Sequence, residues 1–194
     1  MGFKFTRLSI PEVVLIESDT YEDERGFFRE TYKASAFADA GIDRAFVQTN
    51  VSRSGAGVLR GLHYQQHPAA VAKLVSVAWG RVFDVAVDLR AGSPTFGRWT
   101  GADLSAKDGR MLYVPEGFAH GFCALADDTL VTYLMTGEYS PVHDAGVRYD
   151  DPDLAIDWPV SDPTLSARDR SLPLLCDIEA EPPAPLLAAE EAKR

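Results

Sequence analysis

The sequence predicts one all-β domain, a sandwich or barrel of short strands. Most of the chain consists of short runs rich in β-branched and aromatic residues, cut by Gly, Pro and Asp. Only Ser35–Ala40 looks helical in the body of the chain, with Gly41 placed to end it. The length of 194 residues suffices for one well-buried core and falls short of two.

In chain order, Val13–Glu17 is the first strand-like run, and Phe27–Tyr32 follows a turn around Gly26. After the helical segment come Gln48–Arg53 and Val58–Tyr64, then Lys73–Trp79 and Arg81–Leu89 on either side of Gly80. Met111–Val114, Phe122–Leu125 and Thr129–Met135 complete the set, and no internal repeat is visible. Frequent turn signals between short strands fit a sandwich or barrel rather than an α/β fold. Arg81–Leu89 puts Phe83, Val85, Val87 and Leu89 on one face and Val82, Asp84, Ala86 and Asp88 on the other. A one-sided sheet would leave the aspartates in water, whereas a barrel would let the mixed face line a polar cavity; periodicity does not choose. Residues 150–169 are loop-rich with apolar anchors. A boundary is placed at 176, separating a domain of residues 1–176 from an acidic, Pro-rich tail of residues 177–194, frayed or a short helix.

Composition narrows the function. A formal charge of −10 argues against a nucleic-acid partner, which calls for a basic face, but leaves room for a small anion met by a few Arg and Lys side chains. With 46% hydrophobic and 25% charged residues the chain is ordinary for a soluble protein, and no run is long enough for a membrane helix. The N-terminus lacks the order of a secretion signal. Cys123 and Cys176 have no metal or redox spacing and read as small buried hydrophobes, so the expected location is the cytoplasm.

Gly109, Pro115, Gly117 and His120 follow the spacing G-x5-P-x-G-x2-H, which resembles the second signature of cupins, double-stranded β-helix (jelly-roll) barrels; the final Asn of that signature is replaced by Ala124. The first signature normally supplies two histidines and a glutamate to a metal. Gly57-x5-His63 matches its opening, but Gln65 stands where the second histidine belongs, and the nearest ligand-like position before Gly80 is Lys73. An ammonium has no lone pair to give and repels a divalent cation. His63 and His120 alone are too few for a zinc site, and His67, followed by Pro68, reads as a turn residue. No metal and no cofactor are expected.

The ordered segments DERGFFRE (23–30), QTNVSRS (48–54), VLRGLHYQ (58–65), AKLVSVAWGRVFDVAVDLR (72–90), SPTFGRW (93–99), VPEGFAHGF (114–122), EYSP (138–141), DDP (150–152) and LSARD (165–169) closely resemble the dTDP-4-dehydrorhamnose 3,5-epimerase family. The resemblance spans residues 5 to 175. It implies a dTDP-linked 4-keto-6-deoxyhexose substrate, whose C4 ketone acidifies the hydrogens at C3 and C5. Inversion then needs a base on one face, an acid on the other and positive charge at the enolate oxygen. By this resemblance His63 is the base, since an imidazole's ordinary pKa of about 6.5 suits the task. Asp169 orients it, Lys73 meets the enolate oxygen and Tyr133 returns the proton. Each also has a plain structural account: a satisfied histidine, a loop carboxylate, a solvated lysine, a core aromatic. The ordered motifs outweigh these.

The resemblance further implies substrate contacts from Arg60, Gln48, Asn50 and Tyr139, with Asp84 and His120 in the pocket either as participants or as support. Arg25, Phe28 and Glu30 match a thymidine-side segment that reaches in from the neighbouring subunit of a homodimer by N-terminal strand exchange. Strict alternation sends Arg60 and His63 to opposite faces; a bulge at Gly61 would bring both to the ligand. The reading is thus a metal-free C3 and C5 epimerase making dTDP-4-keto-L-rhamnose from dTDP-4-keto-6-deoxy-D-glucose. Its rivals are a single-centre epimerase of a deoxysugar pathway, a non-catalytic dTDP-sugar-binding cupin and a metal-dependent cupin oxygenase.

Overall fold

The structure, a computed structural model, describes residues 2–182. Its strands are β1 (Phe3–Arg7), β2 (Val14–Ser18), β3 (Thr20–Asp23), β4 (Gly26–Arg29), β5 (Gln48–Ser54), β6 (Leu59–Gln65), β7 (Lys73–Trp79), β8 (Arg81–Asp88), β9 (Trp99–Ser105), β10 (Arg110–Val114), β11 (Phe118–Ala124), β12 (Thr129–Met135) and β13 (Asp144–Gly146). Two short helices, α1 (Ala34–Asp39) and α2 (Ala167–Arg170), and a 3-10 turn at Leu175–Asp177 join them.

Two antiparallel sheets face each other as a cupin-type jelly roll, with strand orders β1-β2-β10-β7-β12-β5 and β13-β6-β11-β8-β9. Side chains alternate along each strand, so every central strand contributes to two apolar layers. Val75, Val77 and Val131 of the first sheet meet Val82, Ala86, Leu104, Phe118 and Phe122 of the second between the sheets. Outside the second sheet, Leu62, Val85, Val87 and Ala119 are covered by Val147, Leu154, Ile156 and Trp158 from the loop-rich C-terminal region. Outside the first, α1 plugs Phe37 against Ile16, Leu74, Met111 and Tyr113. Phe3, Phe5 and Tyr32 meet its ring edge-on at 5.4, 5.3 and 5.0 Å. Each such buried side chain contributes about 1.5–3 kcal/mol of transfer free energy.

β8 is therefore buried on both faces, and its aspartates are not in water: Asp84 and Asp88 are fully covered. Asp88 accepts from Arg90, Ser93 and Thr95, while Asp84 points into the barrel.

Lys73–Trp79 and Thr129–Met135 form as expected, and the other expected strands form with shifted ends. The run expected at Phe27–Tyr32 is strand only to Arg29, and the one expected at Phe122–Leu125 begins earlier, at Phe118. β1, β3, β9 and β13 were not expected: WTGADLS carries Gly and Asp, and DAG has no strand propensity of its own. Tertiary pairing imposes these strands. Cys123 is buried as expected, but Cys176 is exposed. The chain also stays on the barrel past residue 176. Arg90 and Glu181 form a parallel bridge, and the buried Glu181 accepts the His67 amide proton at 2.9 Å. The rest of the expected tail, 183–194, lies outside the described residues.

Candidate active site

The second sheet delivers its groups through a bulge. His63 pairs with His120 and Arg60 with Phe122, so three steps on β6 face two on β11. The extra residue lies at Gly61 or Leu62, and Gly61 has φ +136°, where a Cβ would stand 2.5 Å from Gly121 Cα. Only glycine fits that close approach. The bulge turns Arg60 and His63 to the same side, and both line one cavity of about 280 Å3 with Lys73, His120, Tyr133 and Asp169. An adjoining cavity of about 320 Å3 shares His63, Lys73 and Tyr133 and opens past Gln48, Asn50 and Tyr139.

Asp169 reaches His63 from the far end of the chain. Ser166 caps α2 by accepting the Asp169 amide proton at 3.0 Å, which fixes the carboxylate's direction. Its Oδ1 lies 2.7 Å from His63 Nε2. Burial alone would raise the Asp169 pKa, but the hydrogen bond and charge of His63, with Ser166 and the Gly61 amide, hold it below the usual carboxylate value. The carboxylate thus stays ionised beside an imidazole that keeps Nδ1 for other work.

Lys73 and Tyr133 come from the first sheet. Lys73 is 8% exposed, and its ammonium donates to the His63 carbonyl oxygen at 3.1 Å. Burial pushes its pKa from 10.5 down to about 8, against the pull of Asp84 and Asp144. Tyr133 projects inward with Val131 and Met135, opposite Asn50 of β5. Burial raises its phenol pKa. Behind His63, the buried His120 shares its Nε2 between both oxygens of Asp84, each at 3.0 Å. Burial lowers the His120 pKa more than Asp84 restores it. Asp84 lines neither cavity and touches the site through His120.

The remaining expected contacts divide. Arg60 is held by Ser54 Oγ and the Arg53 carbonyl, both at 3.0 Å, with its guanidinium at the cleft. Gln48 and Asn50 line the cleft and bond each other at 3.0 Å. Arg25, Phe28 and Glu30 are absent from their own chain's cleft. Arg25 and Phe28 sit on the β3–β4 hairpin, with Phe28 59% exposed and Arg25 paired to Asp23 at 2.5 Å. Glu30 lies just beyond, with Oε2 buried and unpartnered. Two rim residues went unread in the sequence, Asp144 and Arg168, which pair at 2.8 Å. Arg168 had one signal, its place beside Asp169 in LSARD. His67 is exposed and lines neither cavity.

Groups able to take a proton, return one and hold negative charge face one another across this cleft, which is the equipment of an acid–base isomerase on a cupin barrel. The chain belongs to the dTDP-4-dehydrorhamnose 3,5-epimerase family, whose profile matches residues 7–177. It is 49% identical over 181 residues to the dTDP-4-dehydrorhamnose 3,5-epimerase of Pseudomonas aeruginosa, covering 92% of this chain and 99% of the relative. Among solved structures it resembles a dTDP-6-deoxy-D-glucose-3,5-epimerase from Legionella pneumophila in complex with dTDP-4-keto-L-rhamnose. The TM-score is 0.89 at 46% identity, over 92% of this chain and 95% of that one. A 3'-monoepimerase from Streptomyces bikiniensis in complex with dTDP-quinovose is similar at 38% identity and TM-score 0.83, over 87% and 86% of the two chains.

Proposed function

We propose that this protein inverts C3 and C5 of dTDP-4-keto-6-deoxy-D-glucose to give dTDP-4-keto-L-rhamnose. The observation that carries the reading is the opposition across one cleft of His63, from one sheet and paired with Asp169 of α2, and Tyr133, from the other sheet, with the Lys73 ammonium between the sheets. His63 removes the proton at C5 or C3, and the electron pair of the broken C–H bond moves into the C4 carbonyl to give an enolate. Lys73 stabilises the enolate oxygen in a site where burial strengthens the attraction. Tyr133 returns a proton from the opposite face, and the carbonyl re-forms with the centre inverted. The imidazolium formed on His63 is held by Asp169. One proton leaves and one enters at each centre, so the balance requires no redox cofactor.

Arg60, Gln48, Asn50 and Tyr139 supply the nucleotide side, with Arg60 suited to the diphosphate. His120, with Asp84 behind it, supports the pocket. The active form is a homodimer in which each β3–β4 hairpin carries Arg25 and Phe28, with Glu30 behind, to the neighbouring cleft. The exposed Tyr21, Phe27 and Phe28 on that hairpin support this arrangement. The catalytic unit is the barrel domain, drawn at residues 1–176 and extended by the docked segment to 182, and it works in the cytoplasm.

The similarity to a 3'-monoepimerase keeps a single-centre reaction as the second reading. Incubation with dTDP-4-keto-6-deoxy-D-glucose in D2O, followed by NMR, separates the two. Deuterium at both C3 and C5 is expected; deuterium at one centre alone sinks the double epimerisation.

A further inference from the structure

Gln65 occupies the position where a metal-holding cupin carries its second histidine, and no step above uses it. It is 5% exposed and fully engaged. Its Oε1 accepts the Ser140 amide proton at 2.6 Å, and its Nε2 donates to the Ala69 carbonyl at 2.7 Å and the Glu138 carbonyl at 3.3 Å. From the facing sheet, Gln48 Oε1 accepts the Tyr139 amide proton at 2.8 Å. Three consecutive backbone groups, at residues 138, 139 and 140, are thus held by two glutamines from opposite sides of the cleft.

The segment they hold lies in no strand and presents a ring that is 53% exposed at the cleft rim. Its phenol donates to Asp144 Oδ2 at 2.9 Å. An exposed aromatic on a free loop would lose conformational entropy each time it closed on a ligand, and affinity would fall accordingly. Backbone bonds made beforehand remove that loss.

We propose that Gln65 and Gln48 form a clamp that presets Tyr139 for the nucleotide, which makes Gln65 a positioning residue and gives Gln48 a second task beside any contact with substrate. This rests on the reading of the cleft as a dTDP-sugar site. The barrel position that resembles a metal-ligand site in other cupins here staples the rim.

The test compares Gln65→Met, which keeps the volume and removes the hydrogen bonds, with Tyr139→Ala and the double variant. The readouts are dTDP affinity by titration calorimetry and the KM and kcat of the epimerisation. Gln65→Met is expected to weaken dTDP binding and raise KM about 5- to 10-fold, with kcat changed less than about threefold. The double variant is expected to bind dTDP no more weakly than Tyr139→Ala alone, because both act through the same ring. Losses that multiply in the double variant overturn the clamp, as does unchanged affinity in Gln65→Met beside a weakened Tyr139→Ala. Unchanged affinity in Tyr139→Ala overturns the nucleotide reading of the rim itself, and the clamp falls with it. Should Gln65→Met not fold, Gln65→Glu keeps an acceptor for the Ser140 amide. Its carboxylate cannot donate to the Ala69 and Glu138 carbonyls, so a loss of affinity is again expected, absent in the Tyr139→Ala background, and a loss that persists there overturns the proposal.

Discussion

Lys73 shows how one buried charge can pull activity and stability in opposite directions. In the proposed mechanism its ammonium holds the enolate, and burial pushes its pKa down to about 8. We expect kcat to fall as pH rises through about 8, and a pH–rate profile checks this. The unfolded chain keeps this proton up to about 10.5 while the folded chain has released it, so the Lys73 contribution to stability rises across that same window. Thermal unfolding at pH 7.5 and 9.5, compared with Lys73→Met, isolates it. His63→Ala is expected to lower kcat by about 10²–10⁴-fold, the usual worth of a general base, and to abolish solvent exchange while sparing dTDP binding. Tyr133→Phe keeps the base and removes the acid on the other side. Exchange on the His63 face should persist there while inversion is lost, and deuterium retained in uninverted substrate would show it.

At the scale of the element, β6 is where sequence reasoning was most exposed. Alternation alone places Arg60 outside, and the resemblance alone requires it inside; Gly61 settles the matter because a side chain there would strike Gly121. Gly61→Ala is therefore expected to unmake the bulge, with a loss of more than about 2 kcal/mol in chemical denaturation and loss of activity in whatever folds. Ser166→Ala removes the cap on α2 and should cost about 0.5–2 kcal/mol while loosening Asp169. The central strands were legible because they are long, apolar and bounded by turns. His63, Lys73 and Tyr133 were singled out by the family resemblance of their segments rather than by strand pattern, and the structure gathers them at one cleft. β9 and β13 were not legible, since their strand character comes from neighbours rather than from WTGADLS or DAG. Asp144 and Arg168 were missed for a related reason: their pairing joins a short edge strand to a one-turn helix, and no local pattern marks it.

For the whole molecule, the hairpin matters most. It is tethered at its base, where Arg29 donates to the carbonyls of Ala106 and Lys107, and it exposes Phe27 and Phe28 beyond. Residues matched to the thymidine side thus stand away from their own cleft, a placement that one chain's sequence cannot reveal. If the hairpin serves the neighbour, a His63→Ala protomer and an Arg25→Ala, Phe28→Ala protomer should complement each other. Refolded together in equal amounts, they should recover about a quarter of wild-type activity, since half the dimers carry one complete site of two. Recovery absent from verified mixed dimers would show that each cleft uses its own hairpin. The same scale gives the His63–Asp169 bond another meaning. Its partners lie 106 positions apart, so a chain emerging from the ribosome has presented His63, Lys73 and Tyr133 well before the carboxylate that pairs with His63. Release of a truncated product would leave a barrel with an unaligned imidazole. In the proposed mechanism the order of synthesis therefore makes the aligned base a late acquisition, reached only once α2 has emerged.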